Sequence, residues 1–279
     1  MHRSFFLVLL IGVLIFASLT VEAEDNNWSF TLRDEIGDDH GPGSYVYPRD
    51  EIFSPYEGLF DLKKFDIEES ANNYLFKFEF VELSDPWKSK FGFSLPLIEI
   101  YIDNAEGGSK EIIEKGANIR LDPEHPWNKL LKISGWWLLM YENNANVEEK
   151  VSINGDVMES KWQVKGSEVK CDDNIITVKI PKEKIGEMAD SHIQLLIGSF
   201  DPFGPGHFRE VTNEPSSWKF FSKEIKNIEK ATRVIDTIVP EEIKQKELLA
   251  SKDDNYPQLQ AIHLEKPIAE KSYKIVQSP

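Results

Sequence analysis

The sequence predicts an all-β protein, a two-sheet antiparallel β-sandwich of immunoglobulin-like kind with a short, partly helical C-terminal appendage. Three observations lead there. Short apolar or alternating segments recur along the chain, turn-forming dipeptides separate them, and 17 Phe, 8 Tyr and 7 Trp in 279 residues supply an aromatic-rich core.

Taken in order, Tyr74, Phe76, Phe78 and Phe80 alternate with Leu75, Lys77, Glu79 and Val81. That period of two puts four aromatics on one face of a strand. Residues 97–102 form a second, less cleanly alternating strand. The apolar run from Leu130 to Tyr141, broken by Gly135, predicts a central strand with a bend or bulge. Further strands are expected at Val157 to Val164, Ile175 to Ile180 and Ile193 to Phe200. Gly107-Gly108, Asn154-Gly155, Asp173-Asn174 and Pro181 mark the turns. This gives a binding module over residues 24–221. Residues 222–279 hold only two aromatics, Tyr256 and Tyr273, and two helical patterns, Glu224 to Ala231 and Glu241 to Ala250. They read as an appendage packed on the sandwich, with an extended stretch from about Ser251.

Residues 1–23 read as a secretory signal peptide. His2 and Arg3 precede an uncharged apolar stretch from Phe5 to Ala17, and Val21-Glu22-Ala23 places small residues at a cleavage site. The stretch is short for a bilayer span, although retention as an anchor is an alternative reading. The expected location is secreted or cell-surface associated. Cys171 is the only cysteine, so no intramolecular disulfide forms, and its alternating context suggests a buried strand thiol. Asn27-Trp28-Ser29 matches a glycosylation sequon.

Formal charge is −16 (32 basic against 48 acidic residues). No basic run is present to displace phosphate counterions, so nucleic acid is not an expected partner. The acidity confers solubility and can also serve cations. One acidic loop runs from Asp34 through Asp38, Asp39 and His40 to Gly41-Pro42-Gly43, and a similar one from Asp201 to Gly204-Pro205-Gly206. Glycine lets carbonyls and carboxylates converge, and oxygen ligands from such loops suit Ca²⁺. If the loops meet at one end of the sandwich they form a cation site; otherwise they are acidic surface turns. The candidate ligands are Asp34, Asp38, Asp39 and Asp201, with Asp61 as a further one. His40, His125, His192 and His207 lack zinc-type sequence spacing.

Tryptophans are more numerous than a core of this size requires. Flat indoles stack on the C–H faces of sugars, and Trp87, Trp136 and Trp137 are the candidates for carbohydrate. Trp136 and Trp137, adjacent in the expected strand, would point to opposite faces, one of them into the core. Packing is the competing role for each. No nucleophile elbow, zinc-protease, P-loop or dinucleotide motif appears, and no carboxylate pair is marked as a glycosidase acid and nucleophile, so no enzyme activity is expected.

Eight ordered blocks resemble one known family. They are GDDHGPGSYVYP at 37–48, FDLKKFDI at 60–67, DPWKSKFGFSLPLIEIYID at 85–103, GANIRLDPEHPW at 116–127, ISGWW at 133–137, ITVKIPKEKIG at 176–186, GSFDPFGPGHFREV at 198–211 and RVIDTIVP at 233–240. The chain resembles the C-terminal binding module of glucodextranase. The resemblance implies a DOMON-like sandwich related to family-nine carbohydrate-binding modules, with calcium as a structural ion. It also implies non-catalytic binding of carbohydrate or of the cell-surface layer (S-layer). The partners so implied are a polysaccharide or envelope glycan, with a separate glycoside hydrolase, a transporter or a surface-layer protein beside it. An attachment protein binding a protein partner is the alternative.

Overall fold

The computed structural model describes residues 28–112, 116–142, 166–240, 243–251 and 255–266. The expected signal peptide, Asn27 of the sequon, the expected strand from Val157 to Val164 and Trp162 lie outside the described residues.

In chain order the strands are β1 (Ser29–Arg33), β2 (Leu62–Glu69), β3 (Asn73–Phe80), β4 (Pro96–Asp103), β5 (Lys129–Ile133), β6 (Leu138–Glu142), β7 (Glu168–Asp172), β8 (Ile175–Pro181), β9 (His192–Ser199), β10 (Val211–Thr212), β11 (Phe220–Phe221), β12 (Val234–Asp236) and β13 (Ile262–His263). Two helices of four residues each accompany them, α1 (Lys182–Ile185) and α2 (Gln245–Leu248). The first sheet has the order β1-β2-β3-β8-β7. The second has β12-β9-β4-β5-β6, with β13 also on β9. Every pairing within the two large sheets is antiparallel. The predicted sandwich is therefore the observed one.

The alternation in β3 works as expected. Tyr74, Phe76, Phe78 and Phe80 are fully buried between the sheets, against Phe65 and Ile67 of β2 and Ile176, Val178 and Ile180 of β8. The opposite face is polar and pairs its own charges: Lys63 with Glu79 at 2.6 Å, Lys77 with Glu68 at 2.5 Å and Lys64 with Asp66 at 2.7 Å. One wet face and one dry face is the usual state of an antiparallel sheet.

The second sheet is covered on both sides. Ile98, Ile100 and Ile102 of β4 and Ile193, Leu195 and Ile197 of β9 face the first sheet. The alternate residues Leu97, Tyr101, Leu196 and Leu130 pack outward into a second cluster with Ile119, Leu121, Trp127, Leu249 and Leu259. The cover is made by the chain between β4 and β5 and by the C-terminal segment. The chain after Phe221 also supplies β12 and β13 to the sheet.

Three local expectations are corrected. The run from Leu130 to Tyr141 is two strands, β5 and β6, joined by a hairpin. Ser134 N–H donates to Trp137 O across it (3.0 Å). Gly135 is required there: a Cβ would sit 1.8 Å from Phe93 O, while Phe91 N–H donates to Gly135 O. The glycine therefore marks a turn gripped by the loop before β4, and not a bulge. Residues 224–231 contain only a 3-10 turn, Ile228–Lys230, capped by Asn227, and the second helical pattern shrinks to α2. A helix this short has no length over which to recover its nucleation cost.

Candidate functional site

Two assemblies of side chains stand out, one acidic and one aromatic. The acidic one forms where the two sheets meet. Asp34 follows β1, and the chain turns at Gly37 (φ +91°), whose N–H donates to Asp61 Oδ2 at 2.7 Å. Asp38 follows directly. A register shift between Val234 and Asp236 re-aims Asp236 out of β12. Its Oδ2 accepts the Leu62 N–H (2.7 Å) at the start of β2, and its Oδ1 accepts the Thr237 N–H (2.7 Å). One carboxylate oxygen from each of Asp34, Asp38 and Asp236 lies within 4.8 Å of the others.

Three buried oxygens beside this point, Asp34 Oδ2, Asp38 Oδ1 and Asp61 Oδ1, have no hydrogen-bond partner. Asp61 is only 2% exposed and Asp236 fully buried. Burial first, and neighbouring carboxylates next, push Asp34 up to about 8 and Asp38 up to about 7. Burial raises Asp61 to about 6 despite the Gly37 hydrogen bond. Burial, with Asp34 and Asp38 close by, holds Asp236 well above the carboxylate range. Packed carboxylates with orphaned oxygens demand positive charge or protons. The donor set is all oxygen, which fits a hard divalent cation.

The structure redistributes the residues expected here. Asp34 and Asp38 are in the cluster, and Asp61 borders it. Asp39 is buried but turned away: its Oδ2 accepts from the Tyr47 hydroxyl and the Gly58 N–H, and its Oδ1 faces His40. Consecutive side chains on a tight loop diverge, so Asp39 braces the loop. Asp201 stands apart. Its Oδ1 accepts the Phe203 N–H (3.0 Å) and its Oδ2 faces Arg209 (3.4 Å), in the aromatic assembly. The two Gly-Pro-Gly loops thus serve different sites. Asp236 was missed, yet a lone carboxylate within Val234-Ile235-Asp236-Thr237-Ile238 was the signal for it.

The aromatic assembly lines a cavity of about 740 Å³. Trp87, Trp136 and Phe200 form a nearly continuous surface: Trp136 lies 4.8 Å from Phe200 and 6.1 Å from Trp87, at interplanar angles of 31° and 32°. Trp137 meets Phe200 edge-on. Both hairpin tryptophans line the same cavity, because they sit in a turn rather than on alternating strand positions. Neither is a core residue, whereas Trp127 is buried, donating Nε1–H to Glu111 O (2.9 Å). Phe203, 96% exposed, and Trp218, 48% exposed, form the rim.

Arg209 holds this frame together. It is almost wholly buried, and donates to Ser199 Oγ (3.0 Å), Phe200 O (2.7 Å) and Trp218 O (3.0 Å). It also lies over the rings of Trp87 and Phe53. Flat rings held by Arg209, with the Asp201 carboxylate among the lining residues, can stack a sugar ring and accept hydrogen bonds from its hydroxyls.

A β-sandwich carrying an aromatic cavity and a separate acidic cluster belongs to the class of binding modules. A family model for the C-terminal, SLH-like binding module of glucodextranase matches residues 29–263. The chain belongs to that family, which is a binding module and not a catalytic domain. No curated protein matches the chain.

Proposed function

We propose that this protein is a secreted, surface-associated, non-catalytic carbohydrate-binding module. It takes a glucan or an envelope glycan on the surface formed by Trp87, Trp136 and Trp137, with Trp218 and Phe203 at the rim. The single observation that carries this reading is the aromatic cavity, whose rings are fixed before any ligand arrives. Preformed rings spare the ligand an ordering cost. Membership in a family of SLH-like binding modules supports both the binding role and the surface location. Affinity electrophoresis through gels containing α-glucan, β-glucan or envelope polysaccharide tests it. The expected result is retardation by at least one of them, lost in Trp136→Ala and Trp137→Ala. No retardation by any of them overturns the reading.

Ca²⁺ is the proposed structural ion. Asp34, Asp38, Asp61 and Asp236 would hold it, since the orphaned oxygens of the first three and the raised pKa values of all four call for a cation. The ion would offset half of the charge of four ionised carboxylates and tie the 34–43 loop to β2 and β12. The alternative is attachment to a surface-layer protein, favoured by one feature: Phe203 projects its whole ring into solvent at the cavity mouth. Capture of an envelope protein that free sugar fails to compete would mark that alternative.

A further inference from the structure

Three histidines scattered in sequence, His125, His192 and His263, are gathered in space at the end of β9 remote from the aromatic cavity. Strand register does the first part. Asp103 of β4 and His263 of β13 both pair directly with His192 of β9, so three side chains stand abreast on the outer face of the second sheet. The chain between β4 and β5 does the rest. It brings His125 onto His192, with ring centroids 3.7 Å apart and 18° between planes. His192 in turn stacks on His263 at 4.7 Å. Carboxylates flank both ends: Asp103 lies 3.4 Å from His125 Nδ1, and Asp190 lies 2.7 Å from His263 Nε2.

The arrangement is anchored. His125 N–H donates to Asp122 O. The Asp122 N–H donates to Gln194 Oε1 (2.7 Å) on β9, and Asp122 Oδ2 accepts the Ala261 N–H (3.1 Å) just before β13. The loop that carries His125 is therefore tied to the same strands that carry the other two histidines. One potential ligand atom from each of Asp103, His125 and His192 lies within 4.8 Å of the others.

We propose that Asp103, His125 and His192 form a binding site for a first-row divalent transition ion, with Zn²⁺ as the probe. Two imidazoles and one carboxylate suit zinc, copper or nickel and not the calcium expected at the acidic cluster. Three protein ligands leave a fourth position for water. With the two rings nearly parallel, His125 must swing out of its stack on His192 for both in-plane lone pairs to meet one ion about 2.0–2.1 Å from each. His263, oriented by Asp190, packs against His192 and holds its ring in place.

Calorimetric titration of the full chain with Zn²⁺, in saturating Ca²⁺ so that the acidic cluster is occupied, tests this. The expected result is one Zn²⁺ per chain, weakened at least about tenfold by Asp103→Asn, His125→Ala and His192→Ala and less by His263→Ala. The melting temperature of each metal-free variant must match the wild type. Imidazole NMR resonances of the wild-type protein give a reading independent of the variants: Zn²⁺ is expected to shift His125 and His192 first. No measurable Zn²⁺ binding, binding unchanged in the His125→Ala/His192→Ala double variant, or shifts confined to His40 and His207 would each overturn the proposal.

Discussion

Glu99 and Lys132 form a 2.9 Å ion pair between β4 and β5 on the outer face of the second sheet, and both side chains are almost wholly buried. Lys132 also donates to Gly206 O (2.8 Å), and the Tyr101 hydroxyl donates to Glu99 (2.9 Å). The pair thus fastens the 200–208 loop, which carries part of the aromatic cavity, onto the sheet. Removing one member strands the other charge. Lys132→Met is expected to cost about 3–5 kcal/mol in urea unfolding. The double variant Glu99→Gln/Lys132→Met is expected to recover much of that loss. A single variant as stable as wild type would contradict this account.

Calcium and protons are expected to compete at the acidic cluster. Without the ion, Asp61, Asp38 and Asp34 hold protons up to about pH 6, 7 and 8, whereas the unfolded chain releases them near 3.8. Raised folded-state values stabilise the metal-free protein at low pH, and that contribution is lost as pH rises through 6 to 8. The melting-temperature gain on adding Ca²⁺ to stripped protein is therefore expected to grow from about pH 5.5 to about pH 8. At a hundredfold excess over Kd the gain corresponds to about 2.7 kcal/mol. A gain that is constant or absent across this range counts against the cluster as a calcium site.

The tryptophans divide into two classes that mutagenesis separates. Trp127 packs edge-on against Tyr101 at 5.6 Å inside the outer cluster. Trp127→Ala is expected to cost about 3–5 kcal/mol in stability. Trp137→Ala, at a half-buried hairpin position, is expected to shift the thermal midpoint little while abolishing polysaccharide retardation. The reverse pattern would exchange their roles.

Cys171 is half-buried on β7 and packs at the margin of the core. Burial, with Asp85, Asp172 and Asp173 nearby, pushes its thiol up to about 11, from an ordinary 9.0. At pH 8 the thiolate population falls by about a hundredfold relative to a free cysteine. Iodoacetamide labelling of the folded protein is expected to be slow at pH 8 and to keep accelerating beyond pH 9. Labelling at the rate of unfolded protein would contradict this.

The sandwich was legible because β3 and β8 alternate cleanly and a wet face needs polar residues at every second position. The 129–142 segment was not, because a hairpin and a bent strand share the same apolar run around Gly135. Asp34 and Asp38 were legible as acidic residues of a glycine-containing loop, and Asp61 was named only as a further ligand. The separation of Asp201 from them was not legible, since its carboxylate is turned by the Phe203 N–H and by Arg209, eight residues on. Trp87, Trp136 and Trp137 were nominated one by one, but their convergence on one cavity depends on the hairpin. The histidine group left no trace in spacing, because pairing of β9 with β13 and the chain between β4 and β5 bring together histidines up to 138 positions apart (263 − 125).

β9 acts as a ruler. His192 stands at its first residue, and the aromatic cavity begins with Phe200, just past its last. Eight steps at about 3.4 Å set the two about 27 Å apart. An ion at one end and a short sugar at the other would share no side chain, so their contributions to resistance against unfolding are expected to be additive. Loading one end is expected to leave the affinity of the other unchanged, which titrating each in the presence of the other checks.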